Sequence, residues 1–160
     1  MMGQYSRRLA ELGLELPAVA APVAAYIPAQ RIGNEVRTSG QLPFVEGQLP
    51  AAGKVGAEVS PETAQELSRV AVLNAVAAAA EVAGGIDNIE KISHLTGFVA
   101  SAPDFTGQPA VINGASNLLG EIFDDAGAHT RSAVGVAVLP LNSPVEIELT
   151  CIVKADDGTR

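Results

Sequence analysis

An arginine stands at the start of one of the most apolar segments of the chain, HTRSAVGVAVLP (residues 129–140). Small and β-branched residues follow Arg131 from Ala133 to Val138, a composition typical of a strand. Arginine is rarely buried without a partner. Its side chain must therefore reach water, pair with a carboxylate of the protein, or bind an anionic ligand. The planar guanidinium suits the last two roles, because it binds a carboxylate through two parallel hydrogen bonds.

A candidate carboxylate lies in the next apolar segment, VEIELTCIV (residues 145–153). Side chains of a strand alternate between its faces, so Glu146 and Glu148 share the face opposite the apolar positions. If 131–139 and 145–153 pair as a hairpin, Arg131 lies about seven positions, or about 24 Å, from Glu146 along the ladder. The two residues are then either unrelated or contributed to one site by neighbouring subunits. The spacing leaves both interpretations open.

Beyond Arg131, one face of the first of these strands carries only small side chains: Ala133, Gly135 and Ala137. Small residues in a strand allow another surface to approach closely. We expect this face to contact a second copy of the chain rather than a helix.

The histidines and the cysteine give little support for metal or thiol chemistry. His94, His129 and Cys151 lie in separate segments and lack the spacing of metal ligands. We expect His94 to be structural and Cys151 to lie in the core, whereas His129 is a candidate to line a cleft with Arg131. A single cysteine cannot form an intrachain disulfide, which fits the reducing cytoplasm.

The composition argues against nucleic acid and membrane as partners. The net charge is -8, tryptophan is absent, and aromatic residues make up 4% of the chain. Nucleic-acid binding favours a stripe of Lys and Arg or a set of stacking aromatics. No apolar segment approaches the roughly 20 residues of a membrane span. Glutamates and prolines interrupt the Ala-rich N-terminal segment, so we expect a cytoplasmic protein rather than a secreted one.

The hydrophobic pattern predicts the elements that position these residues. The 160 residues form one domain, in which residues 1–20 are an N-terminal extension with a short helix capped by Ser6. A long helix is predicted between the cap at Ser60 and the stop at Gly84, and a second helix at 109–123. Strands are predicted at 32–39, 89–100, 131–139 and 145–153. This order predicts an α+β fold, a mixed sheet with both helices packed on one face.

Three motifs in order resemble those of one family: TSGQLP (38–43), RSAVGVAVLP (131–140) and VEIE (145–148). With the spacing from Tyr26 to SGQ, they are similar to the Rid family, the RidA or YjgF-like reactive intermediate deaminases. The resemblance implies a chorismate-mutase-like fold and a homotrimer with sites in the clefts between subunits. It also implies hydrolysis of enamines and imines, such as 2-aminoacrylate and 2-iminobutanoate, to 2-keto acids and ammonia without metal or cofactor.

The resemblance assigns roles to individual residues. Arg131 is similar to the arginine that grips the substrate carboxylate, and Glu146 to the acid that positions the attacking water. Such hydrolysis requires an oriented water and a group that takes its proton, and a half-buried carboxylate can supply both functions. The remaining substrate-binding candidates implied by the resemblance are Tyr26, Ser39, Gly40, Asn113 and Ala133.

The chain departs from the family pattern at Ala133, where members with deaminase activity often have a cysteine. The backbone N–H of Ala133 can still bind a carboxylate, but a thiol is lost. This departure favours an alternative function, a non-catalytic module that binds a small carboxylate or a partner protein. A third function, endoribonuclease, is known for some relatives and is disfavoured by the acidic charge.

Overall fold

A computed structural model describes residues 1–19, 21–22 and 24–156 of the chain. Its helices and strands follow one another as α1 (Gln4–Glu11), β1 (Ala29–Ile32), β2 (Glu35–Thr38), α2 (Pro61–Ala83), β3 (Ile89–Ala100), α3 (Gln108–Phe123), β4 (Thr130–Val136) and β5 (Val145–Val153). Short 3-10 turns occupy 86–88, 124–127 and 140–142. The strand predicted at 32–39 is instead the second half of a hairpin, because Gly33 adopts a positive φ and reverses the chain.

The strands form one mixed sheet in the order β1-β2-β5-β3-β4. β3 and β4 are parallel, and the other neighbouring pairs are antiparallel. Two parallel strands need a crossover, which α3 provides between them. α2 and α3 pack against each other and against the same side of the sheet. The predicted α+β architecture, a mixed sheet with both long helices on one face, is confirmed.

The caps of α2 follow the prediction. The Ser60 hydroxyl accepts a hydrogen bond from the Thr63 N–H at 3.1 Å. Gly84 ends the helix in the left-handed region at φ 81°, a conformation that favours glycine. The alanines from Ala75 to Ala80 are buried and let the helix lie close to the sheet.

The cap predicted for the N-terminal helix is wrong. Ser6 lies within α1, and its hydroxyl bonds the Asp87 carboxylate. The same carboxylate accepts the N–H groups of Tyr5 at 2.7 Å and Ser6 at 3.1 Å. A residue distant in sequence therefore caps α1 and ties it to the turn before β3.

None of the helices among the described residues is long and apolar enough to cross a bilayer.

The hairpin between 131–139 and 145–153 is also wrong, because β3 lies between the two strands. Leu95 of β3 pairs with Arg131 on one side and with Leu149 on the other. The short connection favoured a hairpin, but its 3-10 turn carries the chain past the end of β3. β4 also ends at Val136, three residues earlier than predicted.

The small residues at the start of β4 lie against a helix of their own chain. Ala133 packs against the core, and a Cβ added at Gly135 would lie 2.7 Å from Nε2 of Gln108 in α3. The expectation of a second copy rather than a helix is therefore wrong for Ala133 and Gly135, whereas a contact of the exposed Ala137 with a second copy stays a prediction. The crossover explains the outcome, since α3 covers the strand into which it leads. No helix of the described residues covers the opposite face, where Val134 is 43% exposed.

Candidate functional site

The guanidinium of Arg131 is held by neutral acceptors on α3. Its Nη1 donates to Asn113 Oδ1 at 2.8 Å and to Ser116 Oγ at 3.2 Å. Its Nη2 donates to the Pro109 carbonyl at 3.4 Å. None of the ion pairs found among the described residues includes Arg131. The side chain is thus fixed in place without an ion-pair partner among the described residues, and of the three possibilities raised by the sequence, binding an anionic ligand fits best.

His129 belongs to the same group of residues. Its Nε2 lies 2.9 Å from Ser116 Oγ, and its Nδ1 lies 2.6 Å from the Gly127 carbonyl. A carbonyl oxygen only accepts hydrogen bonds, so Nδ1 carries a proton. In the neutral imidazole Nε2 is then the acceptor, and the Ser116 hydroxyl donates to it.

These side chains line a groove of about 490 Å³ between the end of α3 and the start of β4. Its walls include Ser116, Asp124, Asp125, Gly127, His129 and Arg131. Sequence analysis found Arg131 and offered His129 as a candidate, but it missed Ser116. The available signal was the spacing of Asn113 and Ser116, which are three residues apart and therefore share one face of a helix.

Glu146 belongs to a second group on the other face of the sheet. It lies in β5 opposite Phe98 of β3, and its side chain is half-buried. Burial raises the pKa of the Glu146 carboxyl, and the negative charge of Glu148 raises it further. Glu148 in turn lies 3.6 Å from the Arg37 guanidinium. Glu146 therefore holds a proton more readily than an ordinary glutamate, as suits a group in general acid–base catalysis.

Gly40 lies directly against Glu146. A Cβ at position 40 would overlap the Glu146 carboxylate, so only glycine allows this approach. The backbone of Gln41 fixes the loop by exchanging hydrogen bonds with Ile147 at 2.8 and 3.0 Å. Ser39 is held nearby in the chain, since its hydroxyl donates to the Ile27 carbonyl at 2.6 Å.

The other candidates fall into the two groups as follows. Tyr26 is 47% exposed and lies in the segment before β1. The hydrogen bond from Ser39 to Ile27 joins this segment to the loop that contains Gly40. Asn113 and Ala133 lie with Arg131 on the helix side of the sheet. One chain therefore brings Arg131, Asn113 and Ala133 together, and separately Ser39, Gly40 and Glu146, but it does not join the two groups.

The histidine and cysteine outside these groups have structural contacts. His94 Nδ1 lies 2.8 Å from Thr130 Oγ1. Cys151 is buried in the core, as predicted, and burial raises the pKa of its thiol to about 12. Such a thiol stays protonated and is a poor nucleophile.

Comparison with known proteins gives the family. A family model described as "YjgF/chorismate_mutase-like, putative endoribonuclease" matches residues 6–153. The chain belongs to the YjgF/chorismate mutase-like family. The family resemblance seen in the three sequence motifs, and the fold expected from it, are thereby confirmed.

Individual known proteins resemble the chain over most of its length. Protein TCP17 of Trypanosoma cruzi is 36% identical over 147 residues, which cover 91% of this chain and 92% of that protein. The crystal structure of Atu1372 from Agrobacterium tumefaciens has a TM-score of 0.85 at 39% identity, covering 94% and 92% of the two chains. The structure of E. coli TdcF with bound serine has a TM-score of 0.64 at 25% identity, covering 85% and 94%.

Proposed function

We propose that this protein is a cytoplasmic, cofactor-independent hydrolase that converts 2-imino and 2-enamino acids to 2-keto acids and ammonia. The observation that carries the proposal is the Arg131 guanidinium, which is fixed on α3 by neutral acceptors and lines an open groove. A cation without a carboxylate partner in the described part of the chain is suited to bind the carboxylate of a small acid. The serine bound to TdcF is a ligand of that class.

In the proposed reaction, Arg131 holds the substrate carboxylate and thereby fixes the neighbouring C=N carbon. Glu146 takes a proton from a water molecule as the water oxygen bonds to that carbon, and it passes this proton to the nitrogen, which gives a carbinolamine. Glu146 then takes the proton of the carbinolamine hydroxyl as the C=O bond forms and the C–N bond breaks, and it passes that proton to the departing nitrogen, which leaves as ammonia. The raised pKa of Glu146 suits a group that both accepts and returns a proton.

The positions of Arg131 and Glu146 on opposite faces of the sheet support a site that is shared between subunits. Arg131 lies on the helix side, and Glu146 on the side that no helix of the described residues covers. We therefore propose a homotrimer in which Arg131 and Asn113 of one copy meet Glu146, Gly40, Ser39 and Tyr26 of the next. The exposed Val134 on the uncovered face supports an assembly on that side.

The proposal is tested by coupling the protein to an amino-acid dehydratase that releases 2-aminoacrylate. We expect faster release of keto acid and ammonia, which Arg131→Ala and Glu146→Gln abolish. Arg131→Lys does not rescue the rate, because an ammonium lacks the planar pair of donors. Arg7→Ala, which removes an exposed arginine on α1, is the matched control. Equal rates with and without the protein would refute the reaction.

The shared site is tested by co-expressing Arg131→Ala and Glu146→Gln chains. If each cleft combines two neighbouring copies, random mixing leaves about a quarter of the clefts intact, and about that share of the activity returns. If both residues act within one chain, no cleft is intact and no activity returns. Sedimentation of the wild-type protein should show a trimer, and a monomer would contradict the proposal.

The substitution of alanine for a thiol at position 133 favours a second candidate, a non-catalytic module that binds small carboxylates. Binding of 2-ketobutyrate that Arg131→Ala abolishes, without any turnover of imines, would indicate this function. Endoribonuclease activity, which the family description mentions, requires RNA cleavage that disappears in Glu146→Ala.

A further inference from the structure

The polar groups around Arg131 form one directed chain of hydrogen bonds. The guanidinium donates to Ser116, the Ser116 hydroxyl donates to His129 Nε2, and the His129 Nδ1–H group donates to the Gly127 carbonyl. The direction is fixed at both ends, because a guanidinium only donates and a carbonyl only accepts. With a neutral His129, Ser116 accepts a hydrogen bond from Arg131 and donates its own hydroxyl hydrogen to Nε2.

These hydrogen bonds determine which N–H groups of the guanidinium remain free. Nη1 has two hydrogens, and both are used, one on Asn113 and the other on Ser116. Nη2 makes a single long contact of 3.4 Å with the Pro109 carbonyl. Nε makes no hydrogen bond among the described residues. The Nε–Nη2 edge is therefore the edge that remains for a bidentate carboxylate.

We propose that Ser116 and His129 are positioning residues for Arg131, which hold its Nη1 corner so that its Nε–Nη2 edge receives the ligand carboxylate. The inference rests on the proposed function, since it takes Arg131 as the carboxylate-binding group. An arginine side chain loses rotamer entropy when it is fixed. Because Asn113 and Ser116 fix it before the ligand arrives, that loss does not reduce ligand affinity.

The first test is the protonation of the imidazole, measured by NMR on protein with 15N-labelled histidine and arginine. In the neutral form of His129 we expect the proton on Nδ1 and a bare Nε2. Arg131 Nε–H should shift on addition of 2-ketobutyrate. A proton on Nε2, or an Nε–H signal that the acid leaves unchanged at saturation, would overturn the inference.

The second test is the affinity for 2-ketobutyrate compared with its uncharged amide. Ser116→Ala and His129→Leu each break the chain, and we expect the dissociation constant of the acid to rise about tenfold. Ser116→Thr keeps the hydroxyl and His129→Gln keeps an acceptor near the position of Nε2, so these variants should bind within about threefold of wild type. The affinity for the amide should be the same in all four variants, a result that general loss of structure would not produce.

The outcomes separate this inference from the proposed function. If Arg131→Ala weakens binding of 2-ketobutyrate but Ser116→Ala and His129→Leu do not, the positioning role is wrong and the carboxylate site stands. If Arg131→Ala itself has no effect on binding, the proposed function fails, and the positioning role fails with it.

Discussion

The contact between α2 and α3 can be tested with one substitution made at two positions of the same helix. Gly114 and Gly120 both lie in α3. A Cβ added at Gly114 would overlap the Gln65 carbonyl oxygen of α2 and lie 2.5 Å from Ser68 Oγ. A Cβ added at Gly120 would meet nothing within 4 Å. The two sites therefore differ in packing while sharing the same helix.

The expected effects of alanine have opposite signs. In a helix interior alanine is more stable than glycine by about 0.5–1 kcal/mol, which is the whole effect expected for Gly120→Ala. At Gly114 the same gain is outweighed by overpacking, which costs about 1–3 kcal/mol. The backbone of α2 cannot rotate away as a side chain could, so we expect Gly114→Ala to be less stable than wild type by about 1–2 kcal/mol.

Thermal unfolding followed by circular dichroism, at one protein concentration, measures the difference. For a chain of this length 1 kcal/mol shifts Tm by about 2–4 °C, so Gly120→Ala should raise Tm by about 1–4 °C and Gly114→Ala should lower it by about 2–8 °C. Gly114 lies between Asn113 and Ser116 in α3, and these two residues hold Arg131. A shift of α3 caused by Gly114→Ala should therefore also weaken binding of 2-ketobutyrate. If both variants raise Tm, the close approach of the two helices is refuted.

Three further outcomes follow from other parts of the fold. Ser60→Ala removes the cap that accepts the Thr63 N–H, and urea titration should show a loss of about 1 kcal/mol. Glu146→Gln should raise Tm at neutral pH, because burial and Glu148 raise the pKa of Glu146 in the folded state and its charged form is therefore destabilising. The gain in Tm should be absent below pH 4.5, the ordinary pKa of a glutamate, and complete above the raised pKa of Glu146. A gain in Tm that increases towards acidic pH would contradict destabilisation by the Glu146 charge. Cys151 should react with a thiol reagent only when the protein unfolds, because burial shields its thiol and raises the pKa to about 12. Mass spectrometry of the native protein treated with the reagent should therefore find Cys151 unmodified.

Sequence patterns predicted the elements whose causes are local. The cap at Ser60, the left-handed Gly84 and the alternation from Val145 to Val153 depend on neighbouring residues, and they are present as predicted. The neighbour of β4 could not be predicted in this way. Pairing depends on the crossover through α3, whereas the short connection at 140–142 suggested a hairpin.

The candidate site shows the same limit. The small side chains of β4 favoured a contact with a second copy, whereas the crossover through α3 places a helix beside Arg131. Its contact with Asn113 agrees with the resemblance rather than with any periodicity. Ser116 has no pattern of its own, since a serine within a helix more often faces solvent than takes part in a site. Its role emerges only when β4 is placed beside α3.

The position of β5 has a consequence for synthesis of the protein. This strand is made after all the others, yet it lies between β2 and β3 in the middle of the sheet. Until it leaves the ribosome, β2 and β3 each present an unpaired strand edge, which is an aggregation hazard. Glu146 lies on this strand, so the nascent chain acquires its candidate acid in the same step that closes the sheet. An incomplete chain therefore exposes these strand edges and lacks Glu146, the acid of the proposed reaction.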